Sequence, residues 1–351
     1  MSVERSMSSR QITRRGLHRL GGAAALLALG GCEPEPQSPK PTSAPLRVGA
    51  SYWPGQYWVD IAHRQGGFRA AGLQVEWVDT NADYFGSFDA LVEGRLDIVC
   101  FTLFDLVRYQ ARGHDLAGFL ASDQSAGADA LVARPGIGRV RDLAGRRLGL
   151  PRGTYLEYLW TVLREREGLD PGAVQIVDLA GEQAREGLSA GTVDAAFSWE
   201  PYAEQARAAV QGQRLFDTAR VPGIMWAVYA AQRETLAQRP ADIAAFVRVW
   251  RRTDAFLRRQ ADAALAIVAE VNKRPLSEVR DLMKLDRVLD LRDNLLAFSY
   301  ASGFDSLHGT ARRMNDFMLD HGLTEVRVDT TRLLEPRFVG ALGDSHSGGG
   351  P

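Results

Sequence analysis

The sequence predicts an α/β protein that contains two units of alternating strands and helices, followed by a layer of helices. Three observations predict this class. From Leu46 onward, short apolar segments with the spacing of strands alternate with segments that have helical spacing. A second run of the same kind begins near Val140, and the strand signals end at Glu234. Such alternation is typical of βαβ units on a parallel sheet.

The composition is that of an ordinary globular protein and excludes several classes of function. Hydrophobic residues make up 45% and charged residues 24% of the 351 positions, so the chain is neither disordered nor collagen-like. Lys and Arg number 42 against 43 Asp and Glu, which gives no basic excess and argues against a nucleic-acid partner. The only two cysteines, Cys32 and Cys100, exclude a disulfide scaffold and a zinc site built from cysteines.

The first 31 residues have the pattern of an export signal. Residues 1–20 carry five arginines and one acidic residue, and residues 21–31 are apolar but too few to span a bilayer. The segment Thr13-Arg14-Arg15-Gly16-Leu17 resembles the twin-arginine motif of bacterial export signals. We therefore expect a signal peptide over 1–31 and a mature protein outside the cytoplasm.

Cys32 is the predicted site of lipidation. The segment Leu29-Gly30-Gly31-Cys32 resembles a bacterial lipobox, whose cysteine is lipidated and becomes the new N-terminus; the alternative is an ordinary cleavage site that happens to precede a cysteine. Residues 32–45 include five prolines and no aromatic residue, which predicts an extended linker. We expect a lipid-anchored protein on the periplasmic or cell-surface side of the membrane. The Gly-rich segment 345–351 is predicted to be a disordered tail.

The elements of both units follow one another along the chain. In the first unit the predicted strands are 46–50, 73–78, 96–101 and 116–121, and the predicted helices are 55–71, 84–93 and 103–112. In the second unit the predicted strands are 146–150, 174–179 and 193–197, and the predicted helices are 155–167, 182–188 and 201–210. Two further strands, 128–133 and 223–230, join the units.

A helical layer is predicted after the two units. From Glu234 to about Asp320 strand signals stop, and Phe246, Val247 and Trp250 fall at helical spacing. We expect these helices to pack mainly on the first unit. The predicted domains are therefore lobe 1 over 46–127 and 223–344 and lobe 2 over 128–222, with the chain passing between them twice.

Four segments, taken in order, carry a resemblance to a known family and together cover residues 46–230. They are VGASYWPG (48–55), ALVEGRLDI (90–98) followed by Thr102, VRDLAGRRLG (140–149) and LSAGTVDAAFSWEPY (188–202). These segments resemble the solute-binding proteins of ABC importers. The branch is the nitrate, sulfonate, taurine and thiamine-precursor group, also described as NMT1/THI5-like.

The resemblance implies the two-lobe fold of type II periplasmic binding proteins. Ligand would lie in the cleft between the lobes, and two crossing segments near 124–133 and 220–228 would form the hinge. The resemblance also implies a monomer without cofactor, which captures a small-molecule solute and delivers it to an ABC permease with its ATPase. No catalytic residue and no metal ligand is expected.

Candidate ligand contacts lie at the carboxyl ends of the predicted strands, where open α/β sheets bind their ligands. Helix N-termini at that edge also present unpaired backbone N–H groups. Asp79 and Asp129 are weaker candidates. The main candidates are Trp53, Tyr57, Thr102, Asp123, Gly153, Thr154, Tyr155, Trp199 and Glu200.

The chemistry of these candidates favours one class of solute. They are rich in aromatic rings and carboxylates and poor in cations, with Arg152 as the nearest one. Aromatic faces and carboxylates suit a planar nitrogen heterocycle or an amine. We expect a small nitrogen-containing organic solute, such as a pyrimidine thiamine precursor or an amine. The alternatives are a nitrate, sulfonate or taurine receptor, and a lipoprotein that senses a solute and signals to a membrane partner.

Catalysis finds little support in the sequence. The segment GLSAG (187–191) has G-x-S-x-G spacing, but a predicted helix precedes Ser189 and a strand follows it, the reverse of a nucleophile elbow. The six histidines are scattered without the spacing of metal ligands. The pyrimidine synthase of thiamine biosynthesis resembles this family but carries a cysteine-rich motif, whereas this sequence has only Cys100 in that region of the chain. A pyrimidine synthase-like enzyme is therefore the remote alternative.

Overall fold

A computed structural model describes residues 44–81 and 83–344. They form an α/β protein with two sheets and a set of C-terminal helices, which confirms the predicted fold class. The predictions of a signal peptide, a lipidated Cys32, most of the linker and a tail over 345–351 fall outside the described residues. Within the described part, no helix has the combined length and apolar character needed to cross a bilayer.

Eleven strands lie in the described part of the chain. In chain order they are β1 (Leu46–Ala50), β2 (Val75–Asp79), β3 (Ile98–Thr102), β4 (Leu116–Ser125), β5 (Asp129–Ala133), β6 (Arg147–Leu150), β7 (Gln175–Asp178), β8 (Ala195–Trp199), β9 (Gln213–Asp217), β10 (Trp226–Gln232) and β11 (Asp286–Val288).

Fifteen helices are formed by the same described residues. They are α1 (Tyr57–Arg64), α2 (Gly67–Ala70), α3 (Tyr84–Val92), α4 (Leu103–Ala111), α5 (Tyr155–Arg166), α6 (Ala184–Ala190), α7 (Tyr202–Ala209), α8 (Arg233–Gln238), α9 (Pro240–Arg259), α10 (Ala261–Asn272), α11 (Leu276–Met283), α12 (Leu291–Ala297), α13 (Leu307–Asp320), α14 (Thr330–Leu333) and α15 (Arg337–Asp344). Short 3₁₀ turns at Pro54–Gln56 and Gly181–Gln183 precede two of them.

The two sheets share one strand order over five strands, when one of them is read in reverse, and the first sheet has β11 as a sixth strand. Both sheets are mixed rather than parallel. The first sheet has the order β11-β4-β10-β3-β1-β2 and the second β7-β6-β8-β5-β9. β1 is parallel to β2 and β3, as β6 is to β7 and β8. β10 and β5 run antiparallel to both of their neighbours, and each enters its sheet directly from a crossing between the sheets. The predicted βαβ units are therefore parallel, and the strands that follow the crossings run antiparallel to them.

Two edge strands were missed by the sequence prediction. β9 follows a predicted helix, and β11 lies in a segment that was assigned entirely to helices. Both lie at the edge of a sheet, where a strand has one neighbour and needs no continuous apolar run. Their sequences, QRLFD and DRV, carry charges for this reason and give a weak strand signal.

An arginine–aspartate contact recurs in both sheets. Arg47 of β1 donates from its backbone N–H (2.8 Å) and its guanidinium (3.0 and 2.7 Å) to Asp97, which directly precedes β3. Arg147 of β6 makes the same three contacts (2.9, 3.2 and 3.0 Å) with Asp194, which directly precedes β8. The two sheets thus repeat one βαβ arrangement.

The core beside the first sheet is aromatic and is completed by the C-terminal helices. The Trp58 ring of α1 lies 5.0 Å from Phe246 of α9 and 5.8 Å from Tyr229 of β10, and its Nε1–H donates to the Tyr229 hydroxyl at 3.0 Å. Helix α13 packs on α4, and α15 packs on β4. The C-terminal helices therefore pack mainly on the first sheet, as expected.

The chain crosses between the sheets twice, over residues 126–128 and 218–225. The two crossings contact each other, because the Thr218 hydroxyl lies 2.6 Å from the Ser125 hydroxyl and accepts from the Gly127 N–H at 2.9 Å. The Leu285 carbonyl accepts from the N–H groups of residues 126 and 128 (3.0 and 3.1 Å). Most of the expected hinge segment 124–133 thus belongs to β4 and β5. Of the expected hinge segment 220–228, residues 220–225 lie in the second crossing and the rest in β10. The predicted lobe boundaries stay a prediction.

Candidate functional site

A cavity of about 470 Å³ lies between the two sheets. Residues that follow β1, β2 and β8, together with the end of β3, line it: Tyr52 and Trp53, Thr80 and Asn81, Glu200, and Thr102. These positions are the carboxyl ends of the strands in both sheets, which is where an α/β fold presents its binding residues. A volume of this size accommodates a small molecule.

Trp53 is oriented by the residues around it. Its Nε1–H donates to Asp123 Oδ2 at 2.9 Å. Pro54 follows and begins a 3₁₀ turn, in which the Gly55 carbonyl accepts from the Ser122 hydroxyl at 2.7 Å. A Cβ at Gly55 would lie 1.8 Å from Asp123 Oδ1, so only glycine lets the turn approach the carboxylate. The W-P-G sequence therefore fixes an indole at the cavity wall.

Asp123 has a second buried carboxyl group as its neighbour. Burial raises the pKa of Asp123, although the Trp53 hydrogen bond opposes this shift. The pKa of Asp286, which pairs with Ser125 across β11 and β4, is raised well above its usual range by burial and then by the charge of Asp123. Because two buried carboxylates repel, protonation of one of them relieves the pair.

Asp129 lies directly opposite Trp199 in the pairing of β5 with β8. Its side chain is on the cavity lining, and its Oδ1 accepts from the Tyr155 hydroxyl at 3.0 Å. Burial raises the pKa of Asp129 to about 6, against the hydrogen bonds from Ser125 and Tyr155. Asp129 is therefore mostly ionised at neutral pH although it is 4% exposed.

Trp199 is surrounded by tyrosines from both sheets. Its ring centroid lies 6.3 Å from Tyr84, 6.4 Å from Tyr155 and 6.0 Å from Tyr202. Tyr84 begins α3 beside the first sheet, whereas the other two belong to the second. A Cβ at Gly181 would lie 2.4 Å from Trp199 Cζ3, so the glycine lets the indole lie flat on the 3₁₀ turn. We call Tyr84, Tyr155, Trp199 and Tyr202 the aromatic cluster.

Thr102 and Glu200 line the cavity while serving the protein itself. The Thr102 hydroxyl accepts from the Asp105 N–H at 3.1 Å and so caps α4. The backbone N–H of Thr102 donates to the Tyr84 hydroxyl at 3.2 Å. Glu200 forms an ion pair with Arg214 and accepts from the backbone N–H of residue 204 at 3.0 Å. The negative charge of Glu200 is therefore matched inside the protein.

Six of the nine predicted contacts line the cavity and three do not. Tyr57 is 1% exposed and packs on Tyr52, with ring centroids 5.4 Å apart, in a separate apolar cluster. The Gly153 N–H donates to Glu157 at 2.7 Å, and the Thr154 hydroxyl bonds the Pro151 carbonyl and caps α5. The Gly153 N–H and the Thr154 hydroxyl therefore already have hydrogen-bond partners at the start of α5. The six that line the cavity are Trp53, Thr102, Asp123, Tyr155, Trp199 and Glu200.

The cation on the lining is Arg274 and not Arg152, which was expected to be the nearest one. Arg152 does not line the cavity, and its guanidinium donates to the Ile176 carbonyl at 3.1 Å. Arg274 does line it, from the loop between α10 and α11, where its Cζ lies 5.4 Å from the Tyr52 ring centroid. No strand-end signal points to a residue between two helices, so the apolar pattern could not identify Arg274 as a lining residue.

The lining also contains residues that were not predicted as ligand contacts. Some are backbone neighbours of predicted contacts, and others lie on the crossing strands. They include Ser51, Gln56, Thr80, Asn81, Cys100, Phe101, Ser125, Glu182, Tyr202, Met225, Trp226, Val271 and Asn272. Burial raises the pKa of the Cys100 thiol well above its usual range, so this cysteine stays a neutral thiol. Within residues 44–81 and 83–344, no three His, Cys, Asp or Glu side chains are grouped as a metal site.

Comparison with known proteins points to one family. A family model described as NMT1/THI5 like matches residues 58–264, more than half of the chain. Among curated proteins, an aliphatic sulfonates-binding protein of Bacillus subtilis (strain 168) is 20% identical over 297 residues, which cover 83% of this chain and 86% of that protein.

Solved structures show the same fold at low identity. The periplasmic aliphatic sulphonate binding protein of Escherichia coli is 19% identical with a TM-score of 0.67, covering 83% of this chain and 97% of that one. The periplasmic nitrate-binding protein of Synechocystis PCC 6803 is 12% identical with a TM-score of 0.69, covering 88% of this chain and 90% of that one. At these identities the likeness is one of fold.

Proposed function

The chain belongs to the NMT1/THI5-like family, and from that premise we propose that it captures a small nitrogen-containing organic solute in the cavity between its sheets. It is an ABC-type solute-binding protein of the sulfonate and nitrate family rather than an enzyme. The solute class is our inference, and it follows from the chemistry of the cavity.

The observation that carries the proposal is the balance of groups on the described lining. Eight aromatic side chains and five carboxylates contribute, against one guanidinium, that of Arg274. Aromatic faces and carboxylates together favour nitrogen heterocycles and amines, through stacking and charge-assisted hydrogen bonds. A pyrimidine of the thiamine-precursor kind and a protonated amine both satisfy this chemistry.

A sulfonate or nitrate is the second candidate, and two observations favour it. The curated relative and the solved structures bind sulfonates or nitrate by name. Arg274 provides a guanidinium on the lining, although it is also paired with Glu278 at 3.4 Å. The described lining also carries five carboxylates against this one guanidinium, which is why we place this candidate second.

We further propose how the protein is held and what it serves. The sequence pattern before residue 46 supports export, cleavage before Cys32 and a lipid anchor on the periplasmic or cell-surface side. A monomer so anchored would deliver its solute to a permease with its ATPase. The same cavity would serve a solute sensor, and a purified complex with a permease rather than a kinase would favour transport.

A solute panel tests the proposed function. Thermal-shift and calorimetric titration of the purified protein would compare pyrimidines and amines with methanesulfonate and nitrate. We expect a pyrimidine or an amine to bind, and we expect W199A to reduce its affinity by about tenfold or more through loss of stacking. Y300A, which alters a 71% exposed tyrosine outside the cavity, is the matched control. Tight binding of a sulfonate or nitrate, with no response to the nitrogen compounds, would overturn the proposed solute class.

A further inference from the structure

We propose that the solute is an organic cation, such as a quaternary or protonated amine, and that Asp129 is the carboxylate that faces its charge. This inference rests on the proposed function and narrows it from nitrogen-containing solutes in general to those with a positive charge. Three features support it. Asp129 is a buried carboxylate without a cationic partner, the aromatic cluster lies beside it, and the other charged side chains on the lining differ from it in burial or in their partners.

Asp129 is a buried carboxylate without a cationic partner. It is 4% exposed, and no Lys, Arg or His of the described residues lies within ion-pair distance of it. The hydroxyl of Tyr155 donates to it at 3.0 Å, which supports one oxygen but leaves the net charge in place. A buried carboxylate that stays ionised needs a counter-charge, and a ligand in the cavity can supply one.

Each of the other four carboxylates on the lining differs from Asp129 in its burial or in its partners, and Glu182 is only partly buried. Glu200 is paired with Arg214. Asp123 accepts from the Trp53 indole and shares its burial with Asp286. Asp79 lies in an exposed turn, where its Oδ1 accepts from the backbone and side-chain N–H groups of residue 81 (2.9 and 2.7 Å).

The aromatic cluster lies next to this carboxylate. Trp199 faces Asp129 across the strand pair, Tyr155 bonds it directly, and Tyr84 reaches the same place from the first sheet. The faces of indole and phenol rings attract cations, and rings grouped around a carboxylate are the usual site for a quaternary ammonium. The cation would therefore be held by residues of both sheets.

The guanidinium on the lining does not reverse this preference. Arg274 is 45% exposed and paired with Glu278, so solvent and an acid already screen its charge. Asp129 and Asp123, by contrast, are almost fully buried, where charge interactions are stronger. An anion at the aromatic cluster would meet the buried carboxylates first.

Isosteric pairs of ligands test the charge directly. Calorimetry would compare choline with its neutral isostere 3,3-dimethylbutan-1-ol, and benzylammonium with benzyl alcohol, and would include methanesulfonate and a neutral aminopyrimidine. We expect at least one cation to bind about 30-fold or more tightly than its isostere, the effect of a desolvated charge pair. Equal binding of cation and isostere, or no binding of any cation, would overturn the inference.

Substitution of the carboxylate completes the test. D129N preserves shape and removes the charge, and we expect it to weaken cation binding about 30-fold or more while leaving the neutral isostere unchanged. D254N, which alters a buried aspartate paired with Arg258 away from the cavity, is the control and should bind as wild type does. Circular dichroism and melting curves verify folding of both variants. Cation binding by folded D129N at wild-type affinity would reject the role of Asp129.

The two proposals fail in different ways. If the neutral aminopyrimidine binds and the cations do not, the solute-binding function stands and the charge assignment is wrong. If methanesulfonate, which has no nitrogen, is the one compound that binds, the proposed nitrogen solute and its charge are both wrong. A cation that binds wild type and is lost in both D129N and W199A supports both proposals.

Discussion

Asp129 experiences opposing effects on its ionisation. Burial and, less strongly, the nearby negative charges of Asp123 and Glu200 raise its pKa, hydrogen bonds from Ser125 and Tyr155 lower it, and the balance is a pKa of about 6. Its raised pKa means that the folded protein without ligand loses stability from this group as pH rises through 6. A bound cation would offset that loss, so binding and proton release from Asp129 are coupled.

The sign of the pH dependence follows from this coupling. Below pH 6 a cation must displace the proton from Asp129, so we expect cation affinity to rise about tenfold from pH 5 to pH 7 and to level off above that. For an anion the order reverses, because the protonated carboxyl repels it less. The titratable groups that face Asp129 are Tyr84, Tyr155, Asp123, Asp286 and the Arg214-paired Glu200.

Calorimetry over pH 5 to 8 measures this dependence. At pH 6 the heat of cation binding should also vary with the ionisation enthalpy of the buffer, because a proton is released. D129N should remove both effects. A cation affinity that stays constant or falls as pH rises would contradict the prediction.

The residues of the site could be predicted where strand ends determine them. Trp53, Thr102 and Trp199 each stand at the carboxyl end of a strand that the apolar pattern reveals, and all line the cavity. Arg274 could not be found this way, because tertiary packing of α10 and α11 brings it to the cavity. Thr154 does not line the cavity, and the sequence does not show that its hydroxyl donates to the Pro151 carbonyl.

At the scale of elements, two helices begin with a threonine cap but face different surroundings. Thr102 caps α4 and lines the cavity, whereas Thr154 caps α5 and does not. The two threonines thus share a structural role, and the cavity distinguishes them. Substitution of each separates the contribution of a cap from that of a ligand contact.

We expect T154A to lower the free energy of unfolding by about 1 kcal/mol, the usual value of an N-cap, without changing solute affinity. T102A should cause a similar loss and should also weaken binding, because its side chain lies on the lining. Urea unfolding gives the stability and calorimetry the affinity. If T154A weakens binding as much as T102A does, the assignment of Thr154 to a purely structural role is wrong.

Most elements were predicted because their signals are local. β1 and α3 fall within one residue of the predicted ranges, since apolar alternation and glycine helix ends define them. β9 and β11 were missed because pairing at a sheet edge, rather than apolar sequence, makes them strands. The antiparallel direction of β5 and β10 depends on the path of the whole chain, which no local pattern contains.

At the scale of the whole molecule, helices beside the two sheets also meet outside the cavity. The Tyr158 ring of α5 lies 5.6 Å from Phe104 of α4 and 5.0 Å from Phe317 of α13. Tyr158 is buried but does not line the cavity. This contact and the aromatic cluster both connect the second sheet to the first, whereas only the crossings join them covalently. We call the arrangement in which these helices beside the two sheets pack on each other closed. We infer that the Tyr158 contacts favour it.

Y158A tests this inference without altering the cavity. We expect solute to bind this closed arrangement, so its apparent affinity should fall in proportion to the closed fraction of the free protein. Loss of the aromatic contacts should therefore weaken binding by about 2- to 10-fold. Small-angle scattering should show a larger radius of gyration for free Y158A than for free wild type, with a decrease when solute saturates either protein.

The Y300A variant again serves as the control, since it removes an exposed tyrosine. Its scattering and affinity should match those of wild type. If Y158A folds, binds solute as tightly as wild type and gives the same scattering profile, Tyr158 has no part in closure. A ligand that stabilised closure would change the average radius of gyration. If the scattering profile of wild type does not change at saturating solute, the two sheets do not move about the crossings at residues 126–128 and 218–225 on binding.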